Sequence, residues 1–518
     1  MTNQNQIALL QNKLWKTADQ LWSNSDLKPS EYTMPVLGLI FLKHASVKFD
    51  QTKKELDSTS SSGRREISKE QYQARGVLFV PDLAHYSYLT KLKESDDVAL
   101  AIDNAMHLIE QENENVRGVL PQDYNRIEKS VLLDLLRTFN SIPDVEGDTF
   151  GKIYEYFLGN FHKKSGEKGG EFFTPTSLVK LIVNIIEPFS GRVYDPACGS
   201  GGMFVQSAQF VSEHKKDPSR ELAIYGQELS SHNVRIAKMN LAVHGLEGEV
   251  IQGNTYYADE HESFGKFDYV MANPPFNSSG IDKEKLKNDK RFPFGLPTPD
   301  NGNYLWIQLF YSTLSKSGRA GFVMANSAGD ARNSEEEIRK QLIKEGVVDV
   351  IVSVGPNFFD TVALPCTLWF LDKGKKGTQR EKQILFIDAR EIFNQVDKAH
   401  REFTQDQIDF IADIVRLYRG KDAEHSNNEL LVDQFPDSKY QDIGGLCKSV
   451  DIEEVGKLGW SLNPGKYVGL EIKAKMTNED FNEKLAELNA ELLDLNEESL
   501  IIELEVIKNL EKILSNDK

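Results

Sequence analysis

Four consecutive residues, Asn273, Pro274, Pro275 and Phe276, are the strongest candidates for chemistry in this chain of 518 residues. They follow the run 267–272, whose apolar and aromatic residues predict a short buried strand. Two prolines can neither continue a strand nor enter a helix, so the chain turns at the carboxyl end of that strand, where open α/β sheets bind ligands. An amide, a backbone carbonyl and an aromatic ring could there hold a flat ring that bears an amino group. Because Asn-Pro also starts ordinary turns, the neighbouring residues must show whether this run is a binding motif or only a turn.

A glycine-rich turn at 193–204 is the second candidate, because a predicted strand ends there at Asp195 and a helix follows. Glycines let backbone approach a ligand, and the start of a helix offers free N–H groups. After Gly199 and Gly201, Phe204 occupies the third position of the dinucleotide fingerprint, and the turn has no P-loop Gly-Lys-Ser/Thr. An acid before the glycines would repel a pyrophosphate and suits an ammonium or sulfonium group.

Further candidates end the next strands or begin a helix. Glu228 is placed at a strand end to accept hydrogen bonds from both hydroxyls of a ribose. Asn254 ends the following strand and could meet the edge of an adenine ring. The run 169–175 puts two phenylalanines before a Thr-Pro helix start, which makes an apolar wall, although paired phenylalanines are more often core residues.

The elements that position these residues follow from hydrophobic periodicity. Helical spacing from about residue 6 to 140 predicts a helical leader, which a polar loop at 57–75 interrupts. From about 150 to 375, strand-like and helical runs alternate, and this pattern predicts a mostly parallel sheet with helices on both faces. The predicted strands are 192–194, 223–226, 249–251, 269–271, 320–324 and 348–352, with 367–371 and 383–387 as an antiparallel pair at the edge.

Near the C-terminus, apolar residues from Phe481 to Val506 step by alternating four and three, which predicts a heptad seam on a helix. Such a seam packs on its own domain or on a partner, and a partner is the favoured interpretation. The sequence thus predicts a helical N-terminal domain at 1–145, an α/β domain at 146–475 and a partner-binding helix at 476–518.

Composition limits the classes of function. A net charge of −18 argues against a protein that grips nucleic acid alone, because phosphate contacts need clustered Lys and Arg, but it allows action on DNA within a complex. Three widely spaced cysteines predict buried thiols and neither disulfides nor a metal cluster. With no predicted membrane span and no secretory signal pattern, the expected location is the cytoplasm.

Taken together, the motifs at 172–175, 195–202, 226–228 and 273–276 resemble those of S-adenosylmethionine-dependent amino-methyltransferases of DNA. Over nearly its whole length, the chain is similar to the modification subunits of type I restriction–modification systems. Phenylalanine after the prolines is the usual variant for adenine rather than cytosine. The resemblance implies a Rossmann-like methyltransferase domain with an all-α N-terminal domain and a C-terminal helix.

The resemblance also implies roles for individual residues. Those that would line the cofactor S-adenosylmethionine are Glu171, Phe172, Phe173, Thr174, Pro175 and Thr176, and those that would hold its methionine portion are Asp195, Gly199, Ser200, Gly201 and Gly202. Glu228 would hold the ribose, and Asn254, where the family often has Asp, would meet the adenine. Asn273 and the Pro274 carbonyl would accept the two amino hydrogens of an adenine flipped out of the duplex, with Phe276 stacked on the base.

The implied partners are duplex DNA, a specificity subunit with two modification subunits to one copy, and in complete systems a restriction subunit. Other interpretations stay open at this point. The methylated amine could be cytosine N4, an RNA amine or a protein glutamine, or the chain could be a silent scaffold descended from a methyltransferase. An NAD-dependent dehydrogenase has the least support, because the third glycine is missing.

Overall fold

The computed structural model describes residues 3–23, 29–59, 67–142, 149–165, 174–359 and 363–469, together with positions 489 and 496. Residues 1–468 form one compact unit. The predicted heptad helix at 476–518 lies outside the described residues apart from those two positions, and so do Glu171, Phe172 and Phe173 of the predicted cofactor wall.

The first part of the chain is helical, as predicted. Its helices are α1 Asn3–Ser23, α2 Pro29–Thr59, α3 Lys69–Gln73, α4 Tyr86–Leu89, α5 Val98–Glu112, α6 Lys129–Asn140 and α7 Thr149–Ser165. The prediction of a loop at 57–75 was wrong at both of its bounds, because α2 continues to Thr59 and α3 occupies 69–73. A polar sequence folds here because Tyr72 is buried and stacks on Phe49, with ring centroids 4.6 Å apart.

A shared core joins these helices to the α/β part. Phe157 and Phe161 of α7 meet the edge of Trp15 with centroids 5.3 and 5.0 Å apart. The same apolar cluster contains Ile236 and Met239, which lie on a helix of the α/β part. The position of α7 is therefore fixed from both sides.

The α/β part contains one large sheet and one small one. Its strands are β1 Gly191–Asp195, β2 Leu222–Glu228, β3 Gly248–Gln252, β4 Phe267–Ala272, β5 Leu314–Ala325, β6 Val348–Val354, β7 Cys366–Asp372, β8 Gln383–Ala389, β9 Asn394–Gln395, β10 Arg401–Glu402 and β11 Cys447–Asp451. Its helices are α8 Thr176–Ile186, α9 Gly202–Glu213, α10 Pro218–Glu221, α11 Ser231–Val243, α12 Asn303–Thr313, α13 Ser334–Lys344, α14 Gln405–Tyr418, α15 Glu429–Gln434 and α16 Ile452–Lys457.

The large sheet has nine strands in the order β11-β8-β6-β7-β5-β4-β1-β2-β3. From β1 the chain runs outward through β2 and β3, and it then returns to pair β4 on the other side of β1. All these pairings are parallel, so β1 and β4 form the switch point at which the strand order reverses. The predicted α/β fold class is confirmed.

The prediction that 367–371 and 383–387 form an antiparallel pair at the edge of the sheet was wrong. β7 lies inside the sheet, antiparallel to both β5 and β6, and β8 pairs with β6 in parallel. The antiparallel edge strand is β11, at 447–451, which the sequence analysis did not predict. Every residue of β7 is buried, and a continuous apolar run of this kind suits an interior strand better than an edge.

A buried ion cluster surrounds Asp349, a residue of β6. Its carboxylate accepts hydrogen bonds from Arg419 at 3.0 and 3.1 Å and from Arg380 at 2.6 Å. Lys375, which is fully buried, lies 3.9 Å away and donates to the carbonyls of Val348 and Gln383. Burial alone would raise the pKa of Asp349, but Arg419, Lys375 and Arg380 together lower it.

We expect Asp349→Ala to lower the free energy of unfolding by about 3–5 kcal/mol, because the change leaves buried cations without their counter-charge. Denaturant unfolding of the full chain measures the loss. Glu284→Ala serves as the matched control, since it breaks an exposed ion pair with Lys287 and should cost about 1 kcal/mol or less. Equal losses in the two variants would contradict this interpretation.

Candidate active site

A cavity of about 520 Å³ opens at the carboxyl ends of β1 and β4. Register places Val193 opposite Tyr269 and Tyr194 opposite Val270, so the two motifs leave the sheet side by side. The predicted site residues that line this cavity are Thr174, Thr176, Asp195, Gly199, Ser200, Gly202, Glu228, Asn254, Asn273 and Pro275. Pro175 directly precedes α8, which begins at the wall of the cavity.

Asp195 ends β1 inside this cavity and is only 2% exposed. Its Oδ1 accepts a hydrogen bond from the Ala197 N–H at 3.0 Å. Burial, with a smaller contribution from the nearby charge of Glu228, raises the pKa of Asp195 well above its ordinary value. A buried acid in this condition favours a bound cation as its partner.

The glycine turn depends on left-handed backbone at two positions. Gly199 has φ +50° and Gly201 has φ +80°, conformations that strain residues with a side chain. A Cβ at Gly201 would meet the Phe204 ring at 3.5 Å, an ordinary contact, so the constraint at this position is the backbone conformation. The Asn240 side chain donates to the Ser200 carbonyl at 2.9 Å and holds the turn from α11. Backbone is thereby brought to the cavity just before α9 begins.

Glu228 ends β2 beside this turn. Its Oε2 accepts from the Gly199 N–H at 2.9 Å, and its Oε1 accepts from the Ser230 N–H at 2.9 Å. These two backbone donors hold the carboxylate of Glu228 at the wall of the cavity. Leu229 follows, lines the cavity and is 63% exposed.

The turn after β3 forms the next wall of the cavity. The Asn254 side chain accepts from the Tyr256 N–H at 3.1 Å, which closes a short side-chain turn. The Thr255 hydroxyl donates to the Pro196 carbonyl at 2.6 Å and ties this wall to the glycine turn. Tyr256, Tyr257 and the side chain of Asn254 all line the cavity.

The Asn-Pro-Pro-Phe run crosses the mouth of the cavity. Asn273 and Pro275 line it, whereas Pro274 is buried between them. Phe276 is half-buried and packs against the main apolar cluster rather than among the cavity residues. Asn277 follows with φ +53° and exchanges two hydrogen bonds of 2.8 Å with Asn303 at the start of α12. These two hydrogen bonds fix the backbone that directly follows the Asn-Pro-Pro-Phe motif.

Sequence reasoning missed the part of the wall that α7 contributes. Glu155, Leu158 and His162 line the cavity at spacings of three and four, and Leu158 also belongs to the apolar cluster that holds Phe157 and Phe161. Glu155 accepts from the Gln206 side chain of α9 at 3.3 Å. Helical spacing could have placed these residues on one face, but nothing in the sequence indicates that the face meets a ligand. The sequence did contain an indication for Leu229, because this apolar residue directly follows Glu228, the acid that was predicted to end a strand.

The cavity suits an elongated small molecule with a charged end and a sugar. Its volume lies within the ~300–1,000 Å³ of typical small-molecule sites. The buried acid Asp195, the backbone turn beside it, Glu228 and Asn273 all line this one cavity. S-adenosylmethionine matches this donor set, because it carries an ammonium, a sulfonium and a ribose.

The remaining expectations concern metals, thiols and membranes. Within the described ranges, no cluster of three or more His, Cys, Asp or Glu side chains could hold a metal ion. Cys198, Cys366 and Cys447 are free and buried, as predicted. No helix among the residues the structure describes is both long enough and apolar enough to cross a membrane.

Two protein families match the chain. The N-6 DNA methylase family covers residues 145–476, and the HsdM N-terminal domain covers residues 10–139. Among solved structures, a type I restriction–modification methyltransferase subunit from Streptococcus thermophilus has a TM-score of 0.73 at 21% identity, over 90% of this chain and 100% of that one. At this identity the likeness establishes the fold.

Sequence relatives extend the match to a subunit type. The MjaIX methylase subunit of a type I restriction enzyme from Methanocaldococcus jannaschii is 35% identical over 94% of this chain and 88% of its own length. The HindI methylase subunit from Haemophilus influenzae is 35% identical over 80% of this chain and 92% of its own length. The chain therefore belongs to the N-6 DNA methylase family and, within it, to the methylase subunits of type I restriction–modification systems.

Proposed function

We propose that the chain transfers a methyl group from S-adenosylmethionine to N6 of an adenine flipped out of duplex DNA. The observation that carries this proposal is the shared cavity, which Asp195, Glu228 and Asn273 all line. A cationic donor and a planar amine need adjoining sites in one cavity, and the ends of β1 and β4 supply them. The family match gives the reaction class.

The cofactor would lie along the glycine turn. Asp195 would attract its ammonium group, the backbone near Gly199 would follow its methionine portion, and Glu228 would accept its ribose hydroxyls. Leu229, apolar and exposed at the wall, would cover one face of the adenine ring, with Asn254 at its edge. When bound, S-adenosylmethionine would supply an electrophilic methyl group: the carbon–sulfur bond would break as the nitrogen–carbon bond forms, the sulfur would leave as a neutral thioether, and the methylated nitrogen would then lose one proton to solvent.

The target amine would be activated by orientation. The amine of adenine is a poor nucleophile because its lone pair is delocalised into the ring. If the Asn273 side-chain oxygen and the Pro274 carbonyl accept hydrogen bonds from its two N–H groups, electron density returns to nitrogen and the lone pair points at the methyl group. Phe276 would stack on the base once it is flipped, at a cost of about a few kcal/mol for unstacking. The described cavity wall needs no strong base for this step.

For Asn273→Ala we expect methylation to fall by about 10²–10³-fold, the usual effect of removing one oriented hydrogen-bonding group at a reacting centre. Affinity for the cofactor should stay close to that of the unmodified chain, because the glycine turn and Glu228 are untouched. Methyl incorporation into DNA by the full chain with its specificity subunit, together with calorimetric cofactor binding, measures both quantities.

Asn427→Ala is the matched control, since the same side chain is removed from an exposed position that is absent from the cavity wall and from the segment after Asn273. It should keep full activity. Near-normal turnover of Asn273→Ala would exclude the proposed role of the amide.

The raised pKa of Asp195 predicts a pH dependence of cofactor binding. Without ligand, burial keeps this acid protonated at pH values above ~3.9, the ordinary pKa of Asp. A cation favours the ionised form, so binding should release a proton, and affinity should weaken as the pH falls through the raised pKa. Calorimetry in buffers of different ionisation enthalpy counts the protons.

Asp195→Asn removes the titrating group and should bind more weakly, without that proton release. Proton uptake on binding by the unmodified chain, or identical proton counts in the two proteins, would show that Asp195 does not meet the cation.

We further propose that this subunit binds DNA as part of a complex with a specificity subunit, two copies to one, and with a restriction subunit in complete systems. The net charge of −18 supports a partner that supplies the phosphate contacts. The heptad pattern from Phe481 to Val506 is the candidate contact with that partner. The proposed location is the cytoplasm, where such a complex would meet DNA.

Deletion of residues 478–518 should therefore abolish co-purification with the specificity subunit. Cofactor binding should persist, because every described residue of the cavity wall lies before position 307. Size-exclusion chromatography of the co-expressed subunits measures complex formation, and calorimetry measures cofactor binding. Unchanged complex formation would refute this use of the segment.

A further inference from the structure

A loop at residues 278–302 follows the Asn-Pro-Pro-Phe motif and is here called the base-side loop. Its first four residues, 278–281, line the cavity. The loop closes on itself where the Gly302 N–H donates to the Ser278 carbonyl at 2.9 Å, directly before α12. Lysines at 283, 285, 287 and 290 make it look like an ordinary charged surface segment.

One cation of this loop is not on the surface. Arg291 is 2% exposed, and its guanidinium reaches across to the turn after β3, residues 254–257, here called the cofactor-side turn. Nη1 donates to the Thr255 carbonyl at 2.9 Å, and Nη2 donates to the Tyr256 carbonyl at 3.1 Å. One side chain thus holds two consecutive peptide groups of the opposite wall.

Asp289 fixes the orientation of that guanidinium. Its carboxylate accepts from Nε at 2.9 and 3.1 Å, from Nη2 at 2.6 Å and from the Arg291 N–H at 2.8 Å. The planar fork of arginine is needed to meet a carboxylate on one side and two carbonyls on the other, and the ammonium of lysine cannot do both.

The contacts continue from the cofactor-side turn to the glycine turn. The Thr255 carbonyl accepts a hydrogen bond from Arg291, and the Thr255 hydroxyl donates one to the Pro196 carbonyl at 2.6 Å. A second link joins the two walls where the Asp282 N–H donates to the Tyr257 hydroxyl at 2.9 Å. The base-side loop is thereby connected through Thr255 to the residue that directly follows Asp195.

We infer that Arg291 is a positioning residue that makes the cofactor-side turn and the base-side loop move as one, so that filling the cofactor site orders the loop that receives the base. The inference rests on the proposed function, since it assigns the two walls to cofactor and base. Ordering of one site by the ligand of another is a coupling between them, which in proteins typically amounts to ~5- to 150-fold in affinity.

Hydrogen–deuterium exchange of the full chain, with and without S-adenosylhomocysteine, tests the coupling. In the unmodified chain we expect the ligand to slow exchange in the cofactor-side turn and also in the base-side loop. In Arg291→Lys, which keeps a cation beside Asp289 but loses the fork, protection should remain at the turn and be lost from the loop. Lys287→Gln, an exposed change in the same loop, should behave like the unmodified chain.

The outcomes separate a coupling from a purely structural role. If Arg291 only stabilises the fold, Arg291→Lys will exchange faster everywhere in the loop while the difference made by the ligand stays the same, and the inference fails. It also fails if the ligand protects only the turn in the unmodified chain. Absence of protection anywhere would overturn the proposed cofactor site itself, which is a distinguishable result.

A second variant covers the case in which Arg291→Lys does not fold. Asp289→Asn leaves both carbonyl contacts in place and removes the charge that orients the guanidinium, at a side chain that is 21% exposed. We expect it to lose part of the protection that the ligand confers on the loop. Full protection in this variant, with its Arg291 present, would contradict the orienting role of Asp289.

Discussion

The parallel pairing of β1 with β4 is the interaction on which the rest of the site depends. Two segments that leave the sheet at Asp195 and Asn273 are distant in sequence, and only this register brings them to one cavity. A shift of one residue would turn each strand's side chains to the opposite face and separate the two motifs. Because β1 and β4 flank the point where the strand order reverses, the connections from the two strands leave in opposite directions and open a crevice at their carboxyl ends.

Burial of two acids at one wall sets the chemistry of that cavity. Asp195 and Glu228 lie close enough for the charge of Glu228 to raise the pKa of Asp195, an arrangement that is unfavourable without a cation. Backbone N–H groups of Ala197, Gly199 and Ser230 partly offset the cost by hydrogen bonding to the carboxylates. Two neighbouring acids with these backbone donors form a set of groups that would suit a cationic ligand.

Local patterns predicted the helical leader and the strands up to β6 from the sequence, together with the strand ends that carry Asp195, Glu228 and Asn273. They failed where long-range pairing decides, because the apolar run at 366–372 favours an interior strand but does not reveal that this strand lies antiparallel between β5 and β6. Arg291 was missed for a similar reason. In a lysine-rich loop its type suggests solvent, and only the fold shows that two carbonyls of a distant turn surround it.

Buried cations also bear on how the net charge is interpreted. Arg339 is 2% exposed and donates to the carbonyls of Trp460 and Ala331, and Lys375 is fully buried with its ammonium on two carbonyls. Together with Arg291, these side chains count toward the total of 61 Lys and Arg, yet none of them can reach a phosphate. Acids such as Asp195, Glu228 and Asp349 are buried as well, so among the described residues burial does not turn the acidic balance of −18 into a basic one. A polyanion would therefore bind this chain weakly by itself, which supports assigning the grip on DNA to a partner subunit and leaving to this chain the geometry around one extruded base.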